Sequence, residues 1–251
     1  MKRMLLTISY DGTAYHGWQV QPNGVTVQQT LQDSLEKLLG CRTAITGCSR
    51  TDAGVHARQF ACHIDCEDHF PPSAFLKGLN SLLPNDISVI DCREVENDFH
   101  ARYNAKGKKY VYSMYCGVIN PFDSRYKLHL EKMPDIHLMN EFCRGIIGTH
   151  DFAPFSSSKR TVDDTVRTIT ECEVKQNGNY IDFEIKGDGF LYNMVRIIAG
   201  TALAVGYKRL SSDCYKDIFD TKDRSLGGDT LPPHALMLYN VYYLLKGGYY
   251  A

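Results

Sequence analysis

Two short apolar runs, Cys41 to Thr46 and Gln59 to Asp65, are separated by the unlike stretch Gly47 to Arg58. Both runs have the length and composition of strands, and the segment between them reads as the turn that joins them. This part of the chain is therefore committed to a sheet. Gly47, Ser49, Ala53 and Gly54 are small enough to let a backbone turn tightly and come close to a ligand. They surround a single acid, Asp52, with Arg50 two residues before it and Arg58 six after. A carboxylate at such a turn can point into a cleft while a guanidinium keeps it ionised. A polar hairpin with a surface Asp–Arg pair satisfies the same pattern, so the residues alone leave both readings open.

The flanking chain extends the pattern. Residues 4–10 alternate as a strand, and 11–22 form a loop carrying the only tryptophan, Trp18. Thr26 and Gln29 have capping-box spacing, Val27, Leu31, Leu35, Leu38 and Leu39 fall on one helical face, and Gly40 supplies a stop. After the Asp52 unit come a helix from about Ser73 to Leu83, opened by Pro71 and Pro72, and a strand from Ser88 to Val95. Residues 96–108 are polar and turn-rich and are expected to join two halves. Beyond them strands are predicted over 110–115, 168–175, 180–186 and 237–245. Helices are predicted over 135–147, 190–205 and 212–219, with Asn177 and Gly178 in the turn between two of the strands. The order gives an α+β fold with helices on one sheet face, divided as 1–105 and 106–251.

Composition narrows the function classes. In 251 residues, 43% are hydrophobic and 23% charged, ordinary for a globular protein. No run approaches the roughly 20 apolar residues of a membrane span, and the opening apolar stretch breaks at Asp11 and Gly12, too short for a signal peptide. Nine cysteines without a CxxC pair point to free thiols and a cytoplasmic protein. Cys62, His63, Asp65, Cys66 and His69 form the one zinc-like cluster, but a second ligand pair at a usual spacing is missing, so no metal is expected. The net charge of −1 leaves nucleic-acid binding to local basic patches: Arg50 and Arg58; Arg102, Lys106, Lys108 and Lys109; Lys159, Arg160 and Arg167. A solvated lysine-rich loop is the simpler reading of 106–109.

The whole segment Gly47 to Arg58, with Arg50-Thr-Asp-Ala-Gly-Val-His-Ala57 at its centre, closely resembles the catalytic segment of the tRNA pseudouridine synthase A family. Further blocks resemble the family in the same order: Tyr10 to Gln19, Phe99 to Arg102, Lys109 to Tyr112, Gly148 to Phe152 and Gly189 to Gly200. The resemblance implies two similar α+β halves sharing a continuous, mostly antiparallel sheet, with the active site in the cleft between them. It implies an isomerase that converts uridines 38, 39 and 40 of the tRNA anticodon stem-loop to pseudouridine, as a homodimer. Breaking N1–C1′ and rejoining the uracil through C5 oxidises nothing and brings in no group, so no cofactor is expected. An anionic oxygen nucleophile suffices, attacking either C1′ of the ribose or C6 of the ring.

The family's nucleophile falls on Asp52, ionised near neutrality if its pKa stays near about 3.9. The arginine of Asn193-Met-Val-Arg196 matches the family's active-site partner of that acid. Its apolar neighbours suggest burial, which calls for a paired anion; a structural pair with Asp188 is the alternative. Tyr110 matches the residue that stacks on the uracil and takes part in proton transfer at C5, and Leu236 matches an apolar position against the base. On pattern alone Tyr110 and Leu236 are core residues. Arg50 is expected to help extract the target nucleotide or to be a second counter-ion for Asp52. Arg58 and Arg102, with His56 and His100, are candidates for RNA contact or for structural roles. Two departures, Cys48-Ser49 before Arg50 and lysines at 106–109 where arginines are common, bear on contact geometry. An RNA chaperone with an inert pocket is the rival class.

Overall fold

The structure, a computed structural model, describes residues 1–67, 69–157 and 163–245 and the backbone of 248–250. In chain order the elements are β1 (Lys2–Tyr10), α1 (Val27–Leu39), β2 (Thr46–Gly47), β3 (His56–Cys66), α2 (Pro72–Leu82) and β4 (Ile87–Val95). They continue with β5 (Ala105–Cys116), β6 (Leu128–Leu130), α3 (Ile136–Gly145), β7 (Gly148–Asp151), β8 (Val166–Asn177) and β9 (Tyr180–Gly187). Last come α4 (Met194–Gly206), α5 (Tyr215–Thr221), β10 (Leu236–Leu245) and β11 (Gly248–Tyr250), with four short 3-10 turns among the described residues. These elements form two compact units, one of residues 1–106 with 237–251 and one of residues 107–236. Each is α+β, and its sheet is mostly antiparallel.

In the first unit β1 pairs antiparallel with β3 on one side and β4 on the other, while β10 meets the start of β3 in parallel, Met237 opposite His56. Ile8 faces Phe60 but Tyr10 faces Ala57, so β3 carries an extra residue against β1 close to the Asp52 turn. Such a bulge re-aims nearby side chains, and Arg58 within it is exposed at the sheet surface. Helix α1 forms as its sequence requires: Thr26 Oγ1 accepts the Gln29 amide, and Gly40 ends the helix in the left-handed region at φ 76°. Val27, Leu31 and Leu35 are buried, and Leu38 lies over Gly78 of α2. Asn80 of α2 clamps β4 through both its amide atoms, donating to the Val89 carbonyl and accepting the Val89 N–H.

The second unit has the strand order β5-β9-β8-β7, all antiparallel, with β6 parallel to β5. β8 and β9 are joined through Gly178 and Asn179, with the positive φ on Gly178. Helix α3 is capped by Asp135 and packs on α4 and β8, where Asn140 clamps Val174 in the same two-point manner. α4 is buried along most of its length.

Three expectations need correction. Only Thr46 and Gly47 form strand where the run 41–46 was expected to. Gln28 and Gln32 of α1 donate to the carbonyls of Ile45 and Thr43, so helix side chains satisfy a backbone that a strand ladder would otherwise claim. Residues 106–109 lie in β5 and are no loop: Lys108 is buried, and Lys109 pairs with Glu184 of β9 at 2.8 Å. α4 begins at Met194 and not near Phe190, because Asn193 takes a left-handed conformation at φ 61°, which a helix cannot continue through.

Candidate active site

The turn carrying Asp52 is built against the loop that follows β1. Trp18 N donates to the Thr51 carbonyl and Gly54 N to the Tyr15 carbonyl, and Val55 N closes the turn on the Asp52 carbonyl at 3.1 Å. The Tyr10 hydroxyl lies 2.8 Å from Thr51 Oγ1. Two glycines make this approach possible. A Cβ on Gly12 would collide with the Val55 carbonyl, and one on Gly17 would lie 2.5 Å from the Thr51 carbonyl oxygen. Trp18 stacks on Phe60 with centroids 4.0 Å apart and covers Gly47, closing the floor of the turn. Asp52 itself is half-buried and Ala53 exposed, so the turn presents its tip at the surface of the unit.

His56 is 2% exposed, and its Nδ1 accepts the Gly12 N–H at 3.0 Å. It fastens β3 to the loop after β1 and is a structural residue, not a surface contact for RNA. Arg50 is exposed. Arg58 donates from Nη1 to the Tyr239 hydroxyl at 2.7 Å, with its guanidinium 4.8 Å from that ring's centre. The sequence reading missed what the loop does for Asp52. The signal was present in the Tyr10 to Gln19 block, where Gly12 and Gly17 have a steric reason to be glycine.

The second unit carries Tyr110, Arg196 and Leu236. Arg196, half-buried on the first turn of α4, donates from Nε to the Leu231 carbonyl at 2.6 Å and from Nη1 to Asn193 Oδ1 at 2.7 Å. The left-handed Asn193 that sets the start of α4 therefore also orients the guanidinium. Asp188 instead accepts the Thr168 amide. Tyr112 is fully buried with its hydroxyl on the Pro232 carbonyl, and burial raises its pKa. Tyr110, 6% exposed, meets Phe190 edge-on at 5.1 Å. Leu236 is buried at the start of β10.

The remaining candidates lie elsewhere. Arg102 is exposed beside Tyr103 and His100 on the turn before β5. Arg167 donates to the carbonyl of Val166. Lys159 and Arg160 fall outside the described residues. Among the described residues no group of three His, Cys, Asp or Glu side chains could hold a metal ion. In the zinc-like cluster Cys62 and Cys66 are buried, and burial pushes the Cys62 thiol up.

His63 acts on the backbone instead, its Nδ1 accepting the Ala101 N–H at 3.1 Å. Burial, with the nearby charges of Arg3 and His100, lowers its pKa from 6.5 to about 4. Between those values the unfolded chain holds a proton that the folded chain does not. Stability is therefore full above about pH 6.5 and falls as pH drops toward 4, by an amount of order 3 kcal/mol. Urea midpoints measured across that window should show the fall in the wild type and a flatter profile in His63→Gln. Equal slopes would mean that another group is responsible.

A family model described as tRNA pseudouridine synthase matches residues 6–104 and 142–244, which contain both the Asp52 turn and the Arg196 helix. The tRNA pseudouridine synthase A of Clostridium kluyveri is 45% identical over 97% of this chain and 100% of its own length. The tRNA pseudouridine synthase A 2 of Clostridium perfringens is 41% identical with the same coverage, and the tRNA pseudouridine synthase A of Exiguobacterium sibiricum is 42% identical over 97% of each chain. This chain belongs to the tRNA pseudouridine synthase family.

Proposed function

We propose that the chain isomerises uridine to pseudouridine in tRNA, at positions 38, 39 and 40 of the anticodon stem-loop, without a cofactor. The observation that carries this reading is the family match across both the Asp52 turn and the Arg196 helix. Asp52 supplies the carboxylate oxygen that adds to C1′ of the ribose or to C6 of the uracil. The N1–C1′ bond breaks, the freed uracil turns, and C5 bonds to C1′ as the aspartate leaves. The C5 proton is then lost and N1 regains one, so the product is an isomer of the substrate. Arg196, oriented by Asn193, stabilises negative charge on the departing base. Tyr110 stacks on the flipped uracil and takes part in proton transfer at C5, and Leu236 lies against the base. Arg50 braces the vacated stack, while Arg58 and Arg102 contact the RNA backbone.

Further parts of this reading are a homodimer, in which two subunits together grip one tRNA, and a cytoplasmic location. Two observations agree with that location: all nine cysteines are free thiols, and among the described residues no helix is long and apolar enough to cross a membrane. Purified protein incubated with unmodified tRNA transcripts should convert uridines 38–40, mapped by carbodiimide-based sequencing. Unconverted uridine at all three positions in transcripts that carry them would defeat the reading.

A further inference from the structure

The turn between β4 and β5 is tied to the sheet by more side-chain bonds than its place on the surface requires. Side chains of three different strands reach it. Arg3 of β1 donates to the Phe99 carbonyl at 2.8 Å, His63 of β3 accepts the Ala101 N–H, and Tyr243 of β10 donates to the Ala101 carbonyl at 2.6 Å. Phe99 is buried edge-on against Tyr243. His100 Nδ1 accepts the amides of Arg102 and Tyr103, and Asn104 Oδ1 accepts that of His100. Out of this frame projects a large aromatic ring left mostly open to solvent: Tyr103 is 75% exposed. The His100 ring lies 4.3 Å from it, tilted by 32°, and the Arg102 guanidinium lies 5.7 Å from its centre.

An exposed ring on a braced turn, beside an imidazole and a guanidinium, has the chemistry of a single-stranded nucleic-acid contact, since every base offers a π-face and every nucleotide a phosphate. Fixing the turn beforehand removes the entropy that a mobile loop would lose on binding. We propose that Tyr103 is a stacking contact for an unpaired base of the substrate RNA, with Arg102 at the adjoining phosphate; this rests on the tRNA reading above. The base it meets is not a close neighbour of the target. His63, which anchors the turn, lies seven residues along β3 from His56, up to roughly 23 Å at about 3.3 Å per residue. The contact therefore belongs to a part of the RNA away from the nucleotide at Asp52, and it acts on binding, not on the chemical step.

Steady-state kinetics on a full-length tRNA transcript test this. Tyr103→Ala should raise KM by about 5- to 150-fold, the range of base–aromatic stacking, with kcat unchanged. Tyr103→Phe, which keeps the ring, should stay near wild type. Arg102→Ala should make KM less steeply dependent on salt, whereas Tyr103→Ala should not. A KM for Tyr103→Ala within twofold of wild type, or an equal loss in Tyr103→Phe, would overturn the contact while leaving the reaction intact. A wild-type protein that leaves tRNA uridines unconverted would overturn both.

Discussion

Asp52→Asn will give a folded protein that still binds tRNA and forms no measurable pseudouridine, a loss of at least ~10⁴-fold in kcat, as when a nucleophile is deleted. The substitution is nearly isosteric and removes the anionic oxygen. It leaves in place the main-chain bonds that shape the turn: Trp18 N to the Thr51 carbonyl, Gly54 N to the Tyr15 carbonyl, and Val55 N to the Asp52 carbonyl. The thermal midpoint should accordingly move by little, while modification mapping on the same tRNA shows unconverted uridine. Retention of a tenth or more of wild-type activity would transfer the nucleophile's role to another residue and with it most of the proposed chemistry.

The second large effect is expected at a residue with no side chain. Gly17 has φ 82°, and an added Cβ would lie 2.5 Å from the Thr51 carbonyl oxygen and 3.1 Å from the Asp52 carbonyl carbon. Both obstacles are backbone, so relief requires the Gly17 loop and the Asp52 turn to move apart, which breaks the packing that aims the turn. Gly17→Ala should cost about 1–2 kcal/mol for the left-handed conformation alone. It should also lower kcat by roughly 10²-fold, the scale of an ångström's misplacement of a catalytic group. Gly40 supplies the control. Its φ is 76° but nothing lies within 4 Å of the added Cβ, so Gly40→Ala carries the conformational penalty alone. Urea denaturation should find both variants destabilised, and only Gly17→Ala should lose activity. If both kept full kcat, the steric account of how the turn is aimed would be wrong.

What could be read without coordinates divides along a physical line. α1 was legible because its determinants are local: the Thr26 cap, the apolar stripe and the Gly40 stop act within a few residues of one another. The run 41–46 misled because its carbonyls are taken by Gln28 and Gln32 of a helix, a bond that no strand pattern encodes. The lysines at 106–109 looked solvated because charge suggests exposure, yet Glu184 on the neighbouring strand holds Lys109 in the sheet. Asn193 falls in an apolar run that continues the helical pattern, and only its left-handed backbone stops the helix.

The candidate site divides in the same way. Asp52 and its small neighbours, and the resemblance they carry, were present in the amino-acid order, because a turn needs small residues wherever it occurs. Which side chains hold that turn was not. The bed formed by Gly12, Gly17 and Trp18, the His56 fastening and the His63 anchor under Tyr103 each join segments tens of residues apart. Local propensity set most of the elements, and the resemblance carried by the motif residues pointed to the kind of chemistry on offer. Long-range hydrogen bonding and steric contact, which exist only once the chain is folded, decided which residues aim it.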